Sequence, residues 1–269
     1  MTVTPATHPG ARTRPIRAAR RPVPPGLTRL LLIVALLVAW QILVIVGVLD
    51  RTTVPAPTDC LPKLFSVLGN GEFWSDAGRT AQTTLAAFAA ATAVGLVVGT
   101  QLARFPVLAR ILEPYLVGAY AIPVIVFYPT LLVIFGLGTG PIIVTAFLGA
   151  VVPVILTTTV ALAQQSTVHR KLARSLRCSP MQTITKVTFP SVLPLLLPGL
   201  KLAFIYSMAS TVGVEFIVAD AGLGYRIGQL YRDFDTVDMY VYIIALFLLA
   251  LLINQLLNLV ERTVRKDLQ

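Results

Sequence analysis

Six apolar stretches recur along this chain, and each is long enough to cross the hydrocarbon of a bilayer as a helix, which takes about 20 residues. They are Leu27–Leu49, Thr80–Ala103, Ile111–Phe135, Pro141–Ala163, Gly199–Ala219 and Met239–Val260. The rest of the composition agrees. Hydrophobic residues make up 56% of the 269 residues, charged residues 13%, and mean hydropathy is +0.80. A soluble domain carries about 25% charged residues, and a chain of this size cannot hide so much apolar surface in a water-soluble core. The expected fold is an all-α integral membrane protein with six transmembrane helices.

The formal charge of +10 does not point to nucleic acid, because the arginines are scattered between apolar spans with no compact basic domain to hold them. Lys and Arg instead set orientation. With the N-terminus in the cytoplasm, one side receives Arg12, Arg20, Arg21, Arg104, Arg110, Arg170, Lys171, Arg174, Arg177, Lys186, Lys201, Arg262 and Arg265, among others. The other side keeps Arg51, Lys63, Arg79, Arg226 and Arg232 together with most of the acids. Both termini are therefore expected in the cytoplasm of a multi-pass protein.

Residues 1–26 read as a disordered basic tail, rich in Pro and Arg. Residues 27–79 read as the first span and an extracytoplasmic loop, 80–260 as a five-helix core, and 261–269 as a cytoplasmic tail. A cleaved signal peptide fits less well, since the apolar run through Val48 is long and no small-residue cleavage site follows it. Cys60 and Cys178 fall in loops on opposite sides, which excludes a disulfide between them.

Two features suggest where function lies. The third span is interrupted by Pro114, Pro123 and Pro129, which remove backbone donors and kink helices. Such breaks are tolerated where protein or a water-filled cavity covers the freed carbonyls, so this span is either pathway-lining or simply kinked against its neighbours. The second feature is a basic interval, 164–198, between the fourth and fifth spans. Val168, Leu172 and Leu176 recur at helical spacing from Ser166 to Leu176. Ser179-Pro180 resembles an N-cap with proline in the first helical position, opening a second short helix that ends before Pro190. Two surface-lying helices and a helix offered to a cytoplasmic partner explain this pattern equally well.

The interval resembles the coupling loop of ABC-transporter permeases of the binding-protein-dependent importer family. There the pattern runs E-A-A, three residues, Gly, a variable stretch, then an aliphatic residue and Pro. Here Lys171-Leu172-Ala173 takes the first place, Arg177 stands where glycine is usual, and Phe189-Pro190 closes the motif. Gly213-Val214-Glu215-Phe216-Ile217 with Gly222-Leu223-Gly224-Tyr225 is similar to the nitrate, sulfonate, taurine and thiamine-precursor branch.

The resemblance implies a type I importer permease in a bacterial cell membrane. It implies a second permease copy as homodimer partner, cytoplasmic ABC ATPase subunits, an extracytoplasmic substrate-binding protein, and a coupling loop that includes Val168, Lys171, Leu172, Ala173, Leu176, Arg177 and Pro190. Two departures stand out. Lys171 inverts the usual charge, and an L-residue in a left-handed turn at Arg177 costs about 1–2 kcal/mol. Three readings are open: the turn has a different backbone, the ATPase has a compensating acidic groove, or coupling is weakened in a degenerate permease paired with an unlike partner.

Pro123, Tyr128, Tyr206 and Ser210 are candidate pathway residues, the last three as polar or aromatic groups on the third and fifth spans. Glu215 is an intramembrane carboxylate, which is costly and usually faces the bundle interior. It reads as a gate or as a structural hydrogen-bonding group more readily than as a substrate contact. Gly95 and Gly99 permit close helix approach, although glycine is also common on lipid-facing positions. Neither histidine belongs to a cluster with metal-ligand spacing, no phosphate-cradling glycine loop is present, and no cofactor or catalytic residue is expected. An ATP-independent transporter or channel is the rival, but it would be expected to show repeated halves.

Overall fold

The computed structural model describes residues 25–165, 175 and 177–267, which are helical through most of their length. The helices are α1 (Pro25–Ile45), α2 (Pro57–Gly69), α3 (Gly71–Arg104), α4 (Pro106–Ala121), α5 (Tyr128–Phe135), α6 (Thr139–Ala163), α7 (Phe189–Val218), α8 (Leu223–Arg232) and α9 (Thr236–Asp267). A 3-10 turn, Val124–Phe127, joins α4 to α5, and a π-helical turn, Ile184–Thr188, leads into α7.

Four helical stretches are long and apolar enough to cross a membrane: α3, α6, the run from Met181 through α7 to Arg232, and α9. The α4–α5 pair makes a fifth if counted as one broken span, bent by 82°. The break falls at Ile122-Pro123, where proline withholds a donor and biases the residue before it away from helix; Pro114 is accommodated inside α4. The first expected span, α1, carries a shorter apolar stretch, Leu31–Ile45. Its flanks are exposed nearly all round, and it meets the rest of the chain near its C-terminal end. There Val44 is buried, Trp40 packs against Tyr240 at 6.2 Å, and Gln41 reaches Thr58.

The centre of the bundle is α6, flanked by α3 and α7. Small residues set these distances. A Cβ on Gly95 would lie 2.6 Å from the Val154 side chain, and one on Gly99 would lie 2.6 Å from Thr158 Cβ and 2.8 Å from the Ile155 carbonyl. Gly199 of α7 meets Thr157 of α6 equally closely. The glycine pair is therefore an interface rather than a lipid-facing coincidence, and Ala91, Ala150 and Ala203 continue the close contact with almost no exposure. Aliphatic side chains fill what remains, with Val154 and Ile155 buried between the helices.

A cap closes one end of this bundle. It combines α2, the first turns of α3, α8 and the start of α9 around Cys60, Leu64, Phe73, Leu223, Ile227 and Tyr242. Arg226 bridges Asp76 at 3.0 Å, Lys63 reaches Asp238 at 2.6 Å, and Arg51 pairs with Asp59. The Asp238 carboxylate beside Lys63 raises that ammonium above its usual range, and the Arg51 hydrogen bond holds Asp59 below the usual carboxylate range. What the sequence presents as an extracytoplasmic loop is thus a folded layer. Asn70 caps α3 by accepting the Glu72 N–H, so that helix starts well before Thr80.

The second short helix expected to end before Pro190 does not exist as a separate element. The chain passes from one turn of α-helix at Pro180–Thr183 through the π-helical turn straight into α7, and Pro190, Pro194 and Pro198 all lie within α7. The wider turn explains how. The Phe189 N–H donates to the Ile184 carbonyl five residues back, and Pro190, which has no N–H, follows in the first turn, where a missing donor is cheap.

Replacing Gly99 by Leu sets a side chain against Thr158 and the Ile155 carbonyl, and backbone cannot move aside as a flexible side chain can. We expect G99L to cost about 1–3 kcal/mol, seen as a lower midpoint in thermal unfolding of the detergent-purified protein, whereas Gly118→Ala, with open space around it, leaves the midpoint unchanged.

Candidate functional site

Two regions carry the residues that the sequence singles out. The first is the connection from α6 to α7. Val168, Lys171, Leu172, Ala173 and Leu176 lie outside the described residues, while Arg177 and Pro190 lie within them. Arg177 has φ +50°, the left-handed conformation that favours glycine. The backbone there keeps the turn that glycine would make, and the arginine bears the strain, which rules out a different turn geometry at this position. Directly after it, the Ser179 N–H donates to Gln182 Oε1 at 2.9 Å while the Gln182 N–H donates to Ser179 Oγ at 3.3 Å. This is a reciprocal capping box with Pro180 in the first helical position, as the sequence leads one to expect.

The second region is the outer half of α7 and the residues facing it. Glu215 is only 1% exposed. Its Oε2 accepts from Thr80 Oγ1 of α3 at 2.7 Å and from the Gly224 N–H of α8 at 3.1 Å. Thr80 Oγ1 in turn accepts the Leu223 N–H at 2.9 Å, so one hydroxyl and one carboxylate satisfy the first N–H groups of α8. The positive end of that short helix faces the carboxylate. Gly222 has φ +109°, and a Cβ there would stand 2.6 Å from the Glu215 carboxylate; one on Gly224 would meet Glu215 Cβ at 2.6 Å. The spacing of Glu215, Gly222 and Gly224 is thereby explained: glycine is needed where the α7–α8 turn folds back onto the acid. Glu215 fastens three elements together and has no free face toward a pathway.

The other candidates scatter around the α4–α5 break. Pro123 is exposed at the break itself. Tyr206 of α7 is 39% exposed, and its ring meets Tyr120 of α4 at 4.9 Å in an edge-to-face contact. Ser210, one turn along α7, is half-buried against α6, and a Cβ on Gly149 would stand 3.0 Å from its Oγ. Tyr128 is buried with Ile142 and Val214, in the packing between α5, α6 and α7. The structure thus brings Pro123, Tyr206 and Ser210 to neighbouring surfaces and places Tyr128 in a core. Sequence reasoning missed Tyr120 and Thr80. The first was hidden in an apolar run before the proline, and the second read only as the start of a span. Among the described residues no group of three or more His, Cys, Asp or Glu side chains could hold a metal ion.

The description "Binding-protein-dependent transport system inner membrane component" matches residues 91–266 of this chain. The taurine transport system permease protein TauC of Escherichia coli is 25% identical over 233 residues, covering 84% of each chain. The riboflavin transport system permease protein RibX of Chloroflexus aurantiacus is 28% identical over 257 residues, covering 95% of this chain and 96% of that one. Among solved structures, the inward-facing MetNI methionine ABC transporter aligns with a TM-score of 0.61 at 23% identity, over 72% of this chain and 96% of its own, a likeness of fold.

Removing the acid strands two buried donors, and an unsatisfied buried polar group costs about 1–3 kcal/mol. Glu215→Ala should therefore lower the unfolding midpoint strongly, Glu215→Gln, which keeps one acceptor, much less, and Thr80→Val should fall with the alanine variant. A T80V protein as stable as wild type would refute the lock. Arg177→Gly removes the left-handed strain and should gain about 1 kcal/mol locally, read as slower proteolytic cleavage between α6 and α7.

Proposed function

Because the chain belongs to the family of binding-protein-dependent transport system inner membrane components, and is thus a multi-pass permease subunit of an ABC importer rather than an enzyme, we propose that it forms half of the translocation pathway for a small solute. The solute is delivered by an extracytoplasmic binding protein and belongs to the sulfonate, nitrate, taurine or thiamine-precursor type. The observation that carries this reading is the α6–α7 connection, a capped turn with a left-handed residue at the place where the family couples to its ATPase. The family match over 91–266 spans that connection.

In this reading the chain lies in a bacterial cell membrane with both termini in the cytoplasm, and the α2–α8 cap faces outward. The cap's charged rim, with Glu72, Asp76, Arg226, Lys63 and Asp238, then receives the binding protein. A second copy of the permease completes the pathway, and two cytoplasmic ATPase subunits grip residues 168–178. Closure of the ATPases on ATP pulls these segments together, and the continuous helix from Met181 through α7 transmits that motion to Tyr206 and Ser210 beside the α4–α5 break. The lock at Glu215 makes the outer end of α7 move with α3 and α8 as one body. The relatives carry names for taurine and for riboflavin transport, and those solutes, a small zwitterion and a large neutral ring system, share neither size nor shape, which agrees with a pathway that leaves most discrimination to the binding protein.

Tagged protein purified from its native membrane in mild detergent should bring an ATPase subunit with it, and scrambling residues 168–178 should remove that subunit while leaving the permease monodisperse. If no ATPase accompanies the intact protein, coupling through this connection is refuted. If a second, different permease accompanies it, the subunit works in a heterodimer.

A further inference from the structure

A cavity of about 720 Å³ lies between the C-terminal end of α3, the C-terminal end of α6 and the beginning of α7, within the size range of ligand sites. Its polarity is graded along the helix axes. Arg104, the last residue of α3, stands at its outer end and makes no ion pair among the described residues. Further in come Thr100 and Thr158, and deeper still Leu96, Leu196 and Leu200.

The hydroxyls are not equivalent. Thr100 donates to the Leu96 carbonyl, and on α6 Thr157 and Thr159 each donate to a carbonyl one turn back. Thr158, between them, is 2% exposed and its Oγ1 has no partner. A buried hydroxyl without a partner costs free energy, and this one is shut behind the cavity wall, with no surface open to a ligand. It packs at the level of Gly99, about 7 Å along α3 from Arg104 at the helical rise.

We propose that this cavity holds an anionic glycerophospholipid of the cytoplasmic leaflet, with its phosphate on Arg104 and an acyl chain along Leu96, Leu196 and Leu200. The order of cation and apolar wall repeats the order of phosphate and hydrocarbon in such a lipid. A free phosphate would use the arginine alone and leave the apolar depth empty. The choice of leaflet rests on the orientation proposed above. Ile184, Thr188 and Phe189 form the remaining wall, so the lipid would brace the π-helical turn by which the coupling segment enters α7.

The full-length protein is reconstituted in nanodiscs of equal phosphatidylglycerol and phosphatidylcholine with matched chains, and the lipid retained after delipidation in detergent is counted by native mass spectrometry. One arginine near the membrane surface is worth about a five-fold preference for the anionic lipid. Wild type should retain phosphatidylglycerol over phosphatidylcholine by that factor. Arg104→Gln should bring the ratio to unity and Arg104→Lys should restore it. A ratio of unity in wild type, or a preference untouched by R104Q, overturns the proposal. So does displacement of the lipid by soluble glycerol phosphate, which would mark a site for free phosphate. An ATPase that co-purifies while the lipid ratio is unity defeats this inference alone, whereas a five-fold preference without any ATPase defeats only the importer reading.

Discussion

A carboxylate buried at the end of a membrane helix needs donors, and Glu215 finds two for its Oε2 by drawing three elements together. Its partners come from α3 through Thr80 and from α8 through Gly224. The requirement runs outward from there. The α7–α8 turn must come close enough for a backbone N–H to reach the acid, so the turn needs glycine at 222, where φ is positive, and at 224, where any Cβ would strike Glu215. Leu223 between them then points into the cap core beside Phe73 and Tyr242. The cap is thus held by a polar contact at its base and by an apolar core above it. Removing the acid would loosen both, because the turn that delivers Leu223 is the turn that the acid fixes.

The bundle below obeys a different rule. In lipid the hydrophobic effect does not favour helix over helix, so association depends on packing and close approach. Gly95, Gly99 and Gly199 supply that approach around α6, and alanines fill the seam. Polar groups add crosslinks where the helices are tight: the Ser207 hydroxyl donates to the Thr84 carbonyl at 3.0 Å, and Thr159 reaches the Gly99 carbonyl. By contrast α4 and α5 touch α6 over short stretches and expose large apolar residues such as Val133 and Ile134. A rigid core of α3, α6 and α7 carrying a broken, loosely packed span is a sensible division for a protein whose work is conformational, since the moving part should be drawn from the less densely packed elements.

Much of this was legible in the sequence, and the physical reason is that the bilayer leaves little choice. Apolar length fixed α3, α6 and α9, and Pro123 marked the break in the third span. Ser179-Pro180 marked a helix start. The sequence did not reveal the cap, because amphipathic helices as short as α2 and α8 bury their apolar faces against one another without any span-length signal. Nor did it reveal that α7 runs back through three prolines. Proline usually breaks a helix because the preceding turn loses a bond; the π-helical turn at Ile184–Thr188 removes that conflict at Pro190 by reassigning the donors, while Pro194 and Pro198 are carried inside α7. At the candidate site, Glu215 was visible as an anomalous charge, but its partner Thr80 was not, since a threonine opening an apolar run carries no distinguishing mark. Tyr128 and Tyr206 looked alike in sequence, yet packing buried the first and left the second at a surface.

Arg177 bears on how such a subunit tolerates an unfavourable residue at a turn. Its left-handed backbone is not relieved locally: the next structured residues, Ser179 to Gln182, close into a capping box that fixes the direction of the chain entering α7, and the π-helical turn follows at once. A change of backbone at 177 would redirect the chain into that box, and losing the cap would cost about 0.5–2 kcal/mol, as much as the about 1–2 kcal/mol of strain it would relieve. On the α7 side the strain therefore has little to gain by relaxing. In the proposed coupling the same box suits transmission, since it ties residue 179 to the start of the continuous helix that carries Tyr206, Ser210 and Glu215.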